Sequence, residues 1–306
     1  MIRPRLWLAA VLAAELGACQ PAGGGAGRLL VVDDAGDTTW LSGPARRIVS
    51  LNPATTELIF ALGVGPRLVG RTDDCKYPAA ARAIPSVGGW LPPNVEAVAA
   101  RAPDLVLLYQ GSTNAIAAAR LRALGIAVVA LRSDRLADVS RLAHRLGPIL
   151  GVARRADSLA SSYDTALDSL RRSLVPDPAR SVVLLAWDQP LIVLGAGSFV
   201  SEMIELAGAR NVFGDLPAAS VPVSLESLVS RRPRAVVTVG ALSTDFSRRP
   251  EWQAVRAVHE HRLLSLTETA VKWPSPRAPA AVAGLRARLD SALITHASAG
   301  APGHGR

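Results

Sequence analysis

The alternation of hydrophobic and polar positions repeats once between the two halves of the chain. Residues 94–107 and 224–237 share a pattern that begins with a capping residue and a Glu and ends with a Pro before an apolar run. Asn94 and Ser224 can accept hydrogen bonds from free backbone N–H groups, so each predicts a helix start. The proline predicts the end of each helix, and the apolar run predicts a buried strand of a parallel sheet. The repeat therefore predicts two α/β lobes of similar build.

One long helical stretch, residues 152–174, lies between the two copies and contains neither Gly nor Pro. Its apolar residues recur at intervals of three and four, which places them on one face of a helix. At about 1.5 Å per residue the helix would be roughly 34 Å long, enough to connect two lobes. The pattern predicts an α/β fold with two Rossmann-like α/β lobes, residues 28–151 and 176–295, joined by a single long backbone helix within residues 152–175.

Shorter patterns predict the elements around these features. Residues 29–41 predict a β-hairpin, residues 251–258 a helix, and residues 296–306 a frayed tail. Polar loops over residues 71–78 and 267–275 each follow a predicted strand. Because open α/β sheets bind ligands at the carboxyl ends of their strands, the loop over residues 71–78 is a candidate wall of a ligand site.

The N-terminal residues predict export from the cytoplasm. Two arginines precede an apolar stretch that is too short to span a bilayer. The tetrad Leu16-Gly17-Ala18-Cys19 that follows resembles a bacterial lipobox, in which the cysteine receives a diacylglyceryl group. We therefore expect residues 1–18 to be a lipoprotein signal peptide, Cys19 the lipidated residue, and residues 19–27 a flexible tether. An ordinary secretory signal with a chance cysteine is the alternative, and it too predicts an exported protein.

The charge of the chain does not indicate a nucleic-acid partner. The formal net charge is +9 over 306 residues, but the arginines are spread along the chain, and Lys76 and Lys272 are the only lysines. Aromatic residues make up 4% of the chain, which leaves few platforms for stacked bases. We interpret the positive charge as an arginine-rich composition rather than as a basic binding face.

Signatures of a metal receptor or of an enzyme are missing from the sequence. The five histidines are scattered, so we expect no cluster of the zinc or manganese type and no metal or other cofactor. No nucleophile elbow, P-loop or G-x-G-x-x-G motif is present, so no catalytic residue is predicted; an exported enzyme with an unrecognised site is a further alternative. Cys75 is the one cysteine besides Cys19, which excludes an internal disulfide in the exported chain. A buried thiol is our interpretation of Cys75, with contact to a ligand or metal as the alternative.

Several motifs together resemble those of one family, the helical-backbone class of ABC-importer substrate-binding proteins, which capture cobalamin, haem or ferric siderophores. The resemblance covers roughly residues 46–293 and is greatest to the cobalamin-binding members. It implies an extracytoplasmic, monomeric receptor that takes cobalamin or a related corrinoid between its lobes and delivers it to a permease and ATPase, with haem or a ferric siderophore as the alternative ligand. The motifs are Arg47-Ile48-Val49-Ser50-Leu51-Asn52-Pro53 with Thr56-Glu57, Leu68-Val69-Gly70, Tyr77-Pro78, the two repeats, Gly208-Ala209-Arg210-Asn211-Val212-Phe213 and Ser275-Pro276-Arg277.

The resemblance gives the repeated glutamates a role. In the cobalamin-binding members, one glutamate on the outer face of each lobe contacts arginines of the permease, and Glu96 and Glu226 match those positions. The alternative is local, because a glutamate in the first turn of a helix stabilises that helix by about 0.3–1 kcal/mol without any partner. The repeat by itself does not separate these two interpretations.

The resemblance also implies a cleft between the lobes, built from the loops at the strand ends, with aromatic walls. Trp90 and Tyr109 match aromatic positions of the cobalamin site, Trp187 lies near another, and Trp273 lies in the final loop; a place in the core is the alternative for Trp90 and Trp187. Broad flat rings suit a broad flat ligand because they offer large apolar contact at little entropic cost. The chain departs from the cobalamin binders where they have a tyrosine, an acidic residue and an arginine, here Asp74, Thr269 and Trp273. The predicted ligand-binding residues are Asp74, Trp90, Tyr109, Gln110, Trp187, Thr269 and Trp273.

Overall fold

The computed structural model describes residues 28–175, 177, 179–240, 246–267 and 271–294. The predicted signal peptide, tether and C-terminal tail lie outside this part of the chain, as do Cys19 and Thr269. None of the helices within the described ranges is long and apolar enough to cross a bilayer.

A four-stranded parallel sheet forms the centre of the first lobe, in the order β4-β3-β5-β6. Alternate residues of its central strand β5 pack into two different hydrophobic clusters, Leu105 and Leu107 into one and Val106 and Leu108 into the other. The sheet is therefore covered on both faces, as the apolar run predicted. The hairpin predicted at the start of the lobe is confirmed, since β1 pairs antiparallel with β2. The elements are β1 Leu29–Val32, β2 Thr38–Leu41, β3 Ile48–Ser50, α1 Pro53–Ala61, β4 Leu68–Arg71, α2 Val95–Ala99, β5 Leu105–Tyr109, α3 Ser112–Ala123, β6 Val128–Leu131 and α4 Asp138–Ile149.

A mixed sheet forms the centre of the second lobe, in the order β10-β8-β7-β11-β12, with β9 also paired to β7. Strands β7, β11 and β12 run parallel, and β8 returns antiparallel to β7 as a hairpin. The alternate side chains of β7 again pack into two clusters, one on each face. The elements are β7 Ser181–Asp188, β8 Leu191–Leu194, α6 Phe199–Leu206, β9 Arg210–Asn211, β10 Ser220–Pro222, α7 Leu225–Arg231, β11 Ala235–Val239, α8 Arg256–His259, β12 Leu263–Leu266 and α9 Ala278–Ile294.

The connecting helix α5, Ala153–Arg172, belongs to the cores of both lobes. Its buried residues Ala156 and Ala160 pack into a cluster of the first lobe, whereas Tyr163 and Leu167 pack into a cluster of the second. At 20 residues the helix is about 30 Å long. Two α/β lobes joined by one long helix, the predicted fold class, are confirmed.

The two copies of the repeat match in the structure, element by element. Strands β5 and β11 lie at the same offset and have the same burial pattern, and Val98 and Leu228 are the buried residues of α2 and α7. Ala102 and Arg232, each just before the repeated proline, both take positive φ values, 45° and 47°. The repeat is thus conserved in backbone geometry as well as in hydrophobic pattern.

The helix predicted over residues 251–258 is wrong as a single element. A 3-10 turn, Pro250–Ala254, and the short helix α8 take its place, with Val255 in an extended conformation between them. The side chain of Val255 is buried in the cluster that also holds Trp252. Packing of these two residues interrupts a helix that the sequence pattern alone favours.

A candidate ligand-binding cleft between the lobes

A cavity of about 750 Å³ lies between the lobes and takes its lining from both. All four strands of the first sheet deliver residues to it from their carboxyl ends, as expected for an open α/β sheet. In the second lobe the lining comes from the start of α6, from β8 and β10, and from the loop between β12 and α9. The lining residues are Asn52, Pro53, Asp74, Lys76, Trp90, Tyr109, Ser133, Asp134, Leu194, Gly197, Ser198, Phe199, Ala219, Ser220, Lys272, Trp273 and Pro274.

One wall of the cavity is held in place by close packing of two backbone segments. A Cβ on Gly197 would lie 2.5 Å from the carbonyl oxygen of Pro217, so no larger residue fits there without movement. This approach holds the segment that contributes Ala219 and Ser220 to the lining. The glycine-rich turn before α6 therefore has a structural reason, the close contact between two loops.

Trp90 and Tyr109 form an aromatic corner on the side of the first lobe. Their ring centroids lie 6.4 Å apart at an interplanar angle of 80°, an edge-to-face arrangement. The Tyr109 hydroxyl donates a hydrogen bond of 2.7 Å to Oδ1 of Asp134. Burial and this hydrogen bond raise the pKa of Tyr109 to about 12, so the phenol stays protonated at neutral pH. The corner presents an apolar surface with a fixed hydroxyl.

Trp273 joins the opposite wall to a buried carboxylate of the first lobe. Its Nε1 donates a hydrogen bond of 2.9 Å to Oε1 of Glu57, whose side chain is 3% exposed. Arg277 binds the same carboxylate through Nε at 2.8 Å and Nη2 at 2.7 Å. The Arg277 guanidinium also lies 3.8 Å from the ring centroid of Tyr77. These contacts connect the final loop of the second lobe to α1 and to the loop after β4.

Four of the seven predicted ligand-binding residues line this cavity: Asp74, Trp90, Tyr109 and Trp273. Gln110 does not line it; its side-chain oxygen accepts a hydrogen bond of 3.0 Å from Arg132. Trp187 does not line it either. That ring is 53% exposed at the β7–β8 hairpin, where its Nε1 donates to the carbonyl of Gln189.

The sequence interpretation missed several lining residues, of which Lys76, Lys272 and Asp134 carry charge. Lys76 and Lys272 fall inside the two loops that were predicted to wall the cleft. Their rarity as the only lysines was a signal that could have selected them. Asp134 follows β6, and no sequence pattern distinguished it from the other carboxylates that follow strands.

Cys75 is buried beside the cavity lining rather than part of it. The residue is 1% exposed, and Thr56 donates a hydrogen bond of 3.1 Å to its Sγ. Burial raises the pKa of the Cys75 thiol, against the lowering effect of its hydrogen bonds with Thr56 and Thr72. Over the described ranges no three His, Cys, Asp or Glu side chains come together in a group that could hold a metal ion.

Glu96 and Glu226 occupy equivalent exposed positions in the first turns of α2 and α7. Asn94 and Ser224 cap these helices, accepting hydrogen bonds from the backbone N–H groups of residues three positions later. The Glu226 backbone N–H and the Ser224 hydroxyl hold the pKa of Glu226 below its ordinary value. Both carboxylates therefore point a negative charge to the solvent, one on each lobe.

Comparison with known proteins gives consistent matches over most of the chain. A family model described as periplasmic binding protein matches residues 48–270. An uncharacterised ABC transporter substrate-binding lipoprotein of Bacillus subtilis is 30% identical over 258 residues, which cover 81% of both proteins. A vitamin B12-binding protein of Yersinia pestis is 29% identical over 199 residues, 65% of this chain and 71% of that protein. A solved periplasmic heme-binding protein from Pseudomonas aeruginosa is 27% identical with a TM-score of 0.68, covering 80% of this chain and 92% of that one.

The match of residues 48–270 includes α5 and the parallel strands of both sheets, so it extends over both lobes. The Bacillus relative matches over a similar extent of the chain. The two-lobed structure with its inter-lobe cavity agrees with these matches, and the chain belongs to the periplasmic binding protein family.

Proposed function

We propose that this periplasmic binding protein, of the ABC-transporter type, captures cobalamin or a related corrinoid between its lobes and delivers it to the permease and ATPase of an importer. The inter-lobe cavity of about 750 Å³ carries the proposal. Trp90, Tyr109 and Trp273 give it broad apolar walls, and a corrin ring is a broad flat ligand. The vitamin B12-binding protein of Yersinia pestis among the relatives supports this choice of ligand.

Metal ligation favours a corrinoid over haem. Protein-bound haem iron takes an axial ligand from His, Cys, Met or Tyr, whereas cobalt in cobalamin brings its own axial base. Tyr109 is the one such residue among the described residues that line the cavity. Its hydroxyl donates its proton to Asp134, a hydrogen bond that a phenolate ligand of iron could not make.

Haem is the second candidate ligand. The solved heme-binding protein from Pseudomonas aeruginosa, 27% identical, favours it. Lys76 and Lys272 in the cavity would also suit the propionate groups of haem. A ferric siderophore is the remaining alternative within the same class of receptor.

Calorimetric titration of the purified chain with cyanocobalamin, haem and a ferric siderophore tests the ligand. We expect one-to-one binding of cyanocobalamin that Trp90→Ala weakens strongly. Binding of haem or the siderophore but not of cyanocobalamin would show that the protein is a receptor for that other ligand. No binding of any of the three would overturn the proposed function.

The proposal includes docking to the permease and an anchor to the membrane. Glu96 and Glu226 would contact basic residues of the permease, one from each lobe, and the receptor would act as a monomer. Cys19 would carry the lipid, which agrees with the lipoprotein relative from Bacillus subtilis. Mass spectrometry of the membrane-bound protein should show a diacylated N-terminal cysteine, and Cys19→Ser should release the protein from the membrane fraction. A mature N-terminus at any other residue would contradict the anchor.

A further inference from the structure

The two lysines of the chain both line the inter-lobe cavity. The sequence contains 32 arginines but only Lys76 and Lys272 as lysines. Lys76 lies in the loop after β4 of the first lobe, and Lys272 lies in the loop between β12 and α9 of the second. In a composition so strongly biased toward arginine, the two lysines therefore both lie at one cavity, on opposite lobes.

The ammonium groups of these lysines have no ion-pair partner among the described residues, whereas the arginines around the cavity do have partners. Arg277 binds Glu57, Arg135 binds Glu202, and Arg132 binds Gln110. Both lysines are exposed, and both belong to the cavity lining. Their charges are thus available to a ligand.

The two carboxylates of the lining do not cancel this charge fully. Asp134 accepts a hydrogen bond from the Tyr109 hydroxyl, and its Oδ2 lies 3.7 Å from Nε of Arg132. The charge of Asp134 therefore already has partners within the protein. Asp74 is the other carboxylate of the lining. Among the described lining residues, two ammonium groups face one remaining carboxylate, an excess of positive charge that favours an anionic ligand.

We infer that the ligand carries an acidic group, a phosphate diester or a carboxylate, and that Lys76 and Lys272 bind this group from opposite lobes; the inference rests on the proposed function. Lysine suits the task because its ammonium is a point charge with three donors on a flexible stem, which can follow a ligand as the lobes approach. Hydrogen bonds between charged partners are about twice as strong as neutral ones, so the acidic group contributes affinity as well as orientation.

A pair of synthetic porphyrins of similar size and opposite charge tests the inference independently of the natural cargo. Quenching of tryptophan fluorescence would report the binding of an anionic sulfonated porphyrin and of a cationic N-methylpyridinium porphyrin. We expect the anionic probe to bind more tightly, and K76Q/K272Q to weaken it about tenfold or more for each lysine removed. Added salt should lower the affinity for the anionic probe more in the original protein than in K76Q/K272Q.

A matched variant distinguishes the effect of charges inside the cavity from the effect of the overall charge of the protein. R120Q/R154Q removes two positive charges from exposed positions outside the cavity lining, on α3 and α5. It should leave the affinity of the anionic probe within about twofold, because neither arginine lines the cavity and salt screens exposed charges. Equal affinity for the two porphyrins, or equal losses in the two double variants, would overturn the inference. Since all four positions are exposed, both variants should unfold at the temperature of the original protein.

Natural ligands then distinguish the source of the acidic group. Cyanocobalamin against cobinamide, which lacks the phosphate, tests the phosphate diester; haem against its dimethyl ester tests the carboxylate. The inference predicts that the acidic member of one pair loses affinity in K76Q/K272Q, while its counterpart without the acidic group does not. If cyanocobalamin, haem and a siderophore all fail to bind but the anionic porphyrin binds through the lysines, the proposed function is wrong and the inference stands.

Discussion

Glu57 and Arg277 form a bidentate ion pair between the lobes, with Nε and Nη2 of Arg277 at 2.8 and 2.7 Å from the two carboxylate oxygens. Glu57 belongs to α1 of the first lobe, and Arg277 directly precedes α9 of the second. Trp273, a wall of the cavity, donates to the same carboxylate. This contact between the lobes therefore also orients a wall of the cleft.

Removing this carboxylate should destabilise the protein strongly. Glu57→Ala leaves Arg277 and the Trp273 indole N–H without their shared acceptor, and each hydrogen bond to a charged group contributes about 1.5–3 kcal/mol. Urea unfolding monitored by circular dichroism would measure the loss. Asp168→Asn is the control, because its pair with Arg171 is exposed and contributes about 0.5 kcal/mol or less. A loss for Glu57→Ala no greater than that of the control would contradict the assigned role.

The hydrogen bond from Tyr109 to Asp134 should be visible in a titration. Asp134→Asn removes a negative charge that disfavours the phenolate, so the pKa of Tyr109 should fall from about 12 while the effect of burial remains. Tyrosinate absorbance as a function of pH would follow this group. Asp74→Asn, a cavity carboxylate that does not contribute to the Tyr109 shift, should leave the titration as it is; an unchanged curve for Asp134→Asn would refute the coupling.

Two tryptophans that the sequence treats alike should differ in ligand binding. Trp90→Ala removes a wall of the cavity and should lower the affinity for the ligand about tenfold or more. Trp187→Ala should leave affinity unchanged, because this ring lies outside the cavity on the β7–β8 hairpin. Titration calorimetry of both variants with the ligand of the original protein gives the comparison. A greater loss for Trp187→Ala would place the ligand elsewhere.

Charge reversal at the repeated glutamates should separate delivery from capture. Glu96→Lys with Glu226→Lys should abolish transport into vesicles that hold the cognate permease and ATPase, while ligand affinity stays unchanged, because both residues are exposed and lie outside the cavity lining. Glu251→Lys, at another exposed position, is the control and should transport normally. Undiminished transport by the double variant would contradict docking through these glutamates. Their remaining role would be to stabilise their own helices.

Acid stability should depend on Asp34, which binds Arg141 and Arg145 of α4. Burial by itself raises the pKa of Asp34, but the Arg132 backbone N–H and these guanidiniums lower it below its ordinary value of 3.8. A lowered carboxyl pKa stabilises the fold above the unfolded pKa, and this contribution disappears as pH falls through the folded value. Asp34→Asn should therefore lower the free energy of unfolding at neutral pH and reduce its dependence on acid pH. Denaturant unfolding at several pH values, with the exposed Asp164→Asn as control, would detect the change; equal pH dependence in both variants would contradict it.

Local sequence patterns determined the elements and their burial. The repeat predicted β5 and β11 as strands covered on both faces, and the three- and four-residue spacing predicted α5. Such predictions succeed because the burial of a side chain depends on the period of its own helix or strand. The two loops expected to form walls also supply Asp74, Lys76, Lys272 and Trp273 to the cavity.

Only the tertiary structure decided which of these residues meet. Trp90 and Trp187 are both tryptophans near predicted strand ends, yet one lines the cavity and the other lies on a hairpin. The partners of Glu57 lie more than two hundred positions away along the chain. Lys76 and Lys272 line one cavity from opposite lobes. Contacts of this kind depend on how α5 sets one lobe against the other, and no periodic pattern within an element encodes that geometry. The sequence by itself therefore determined two covered sheets and the helix between them, whereas the composition of the cleft followed from the packing of the two lobes on that helix.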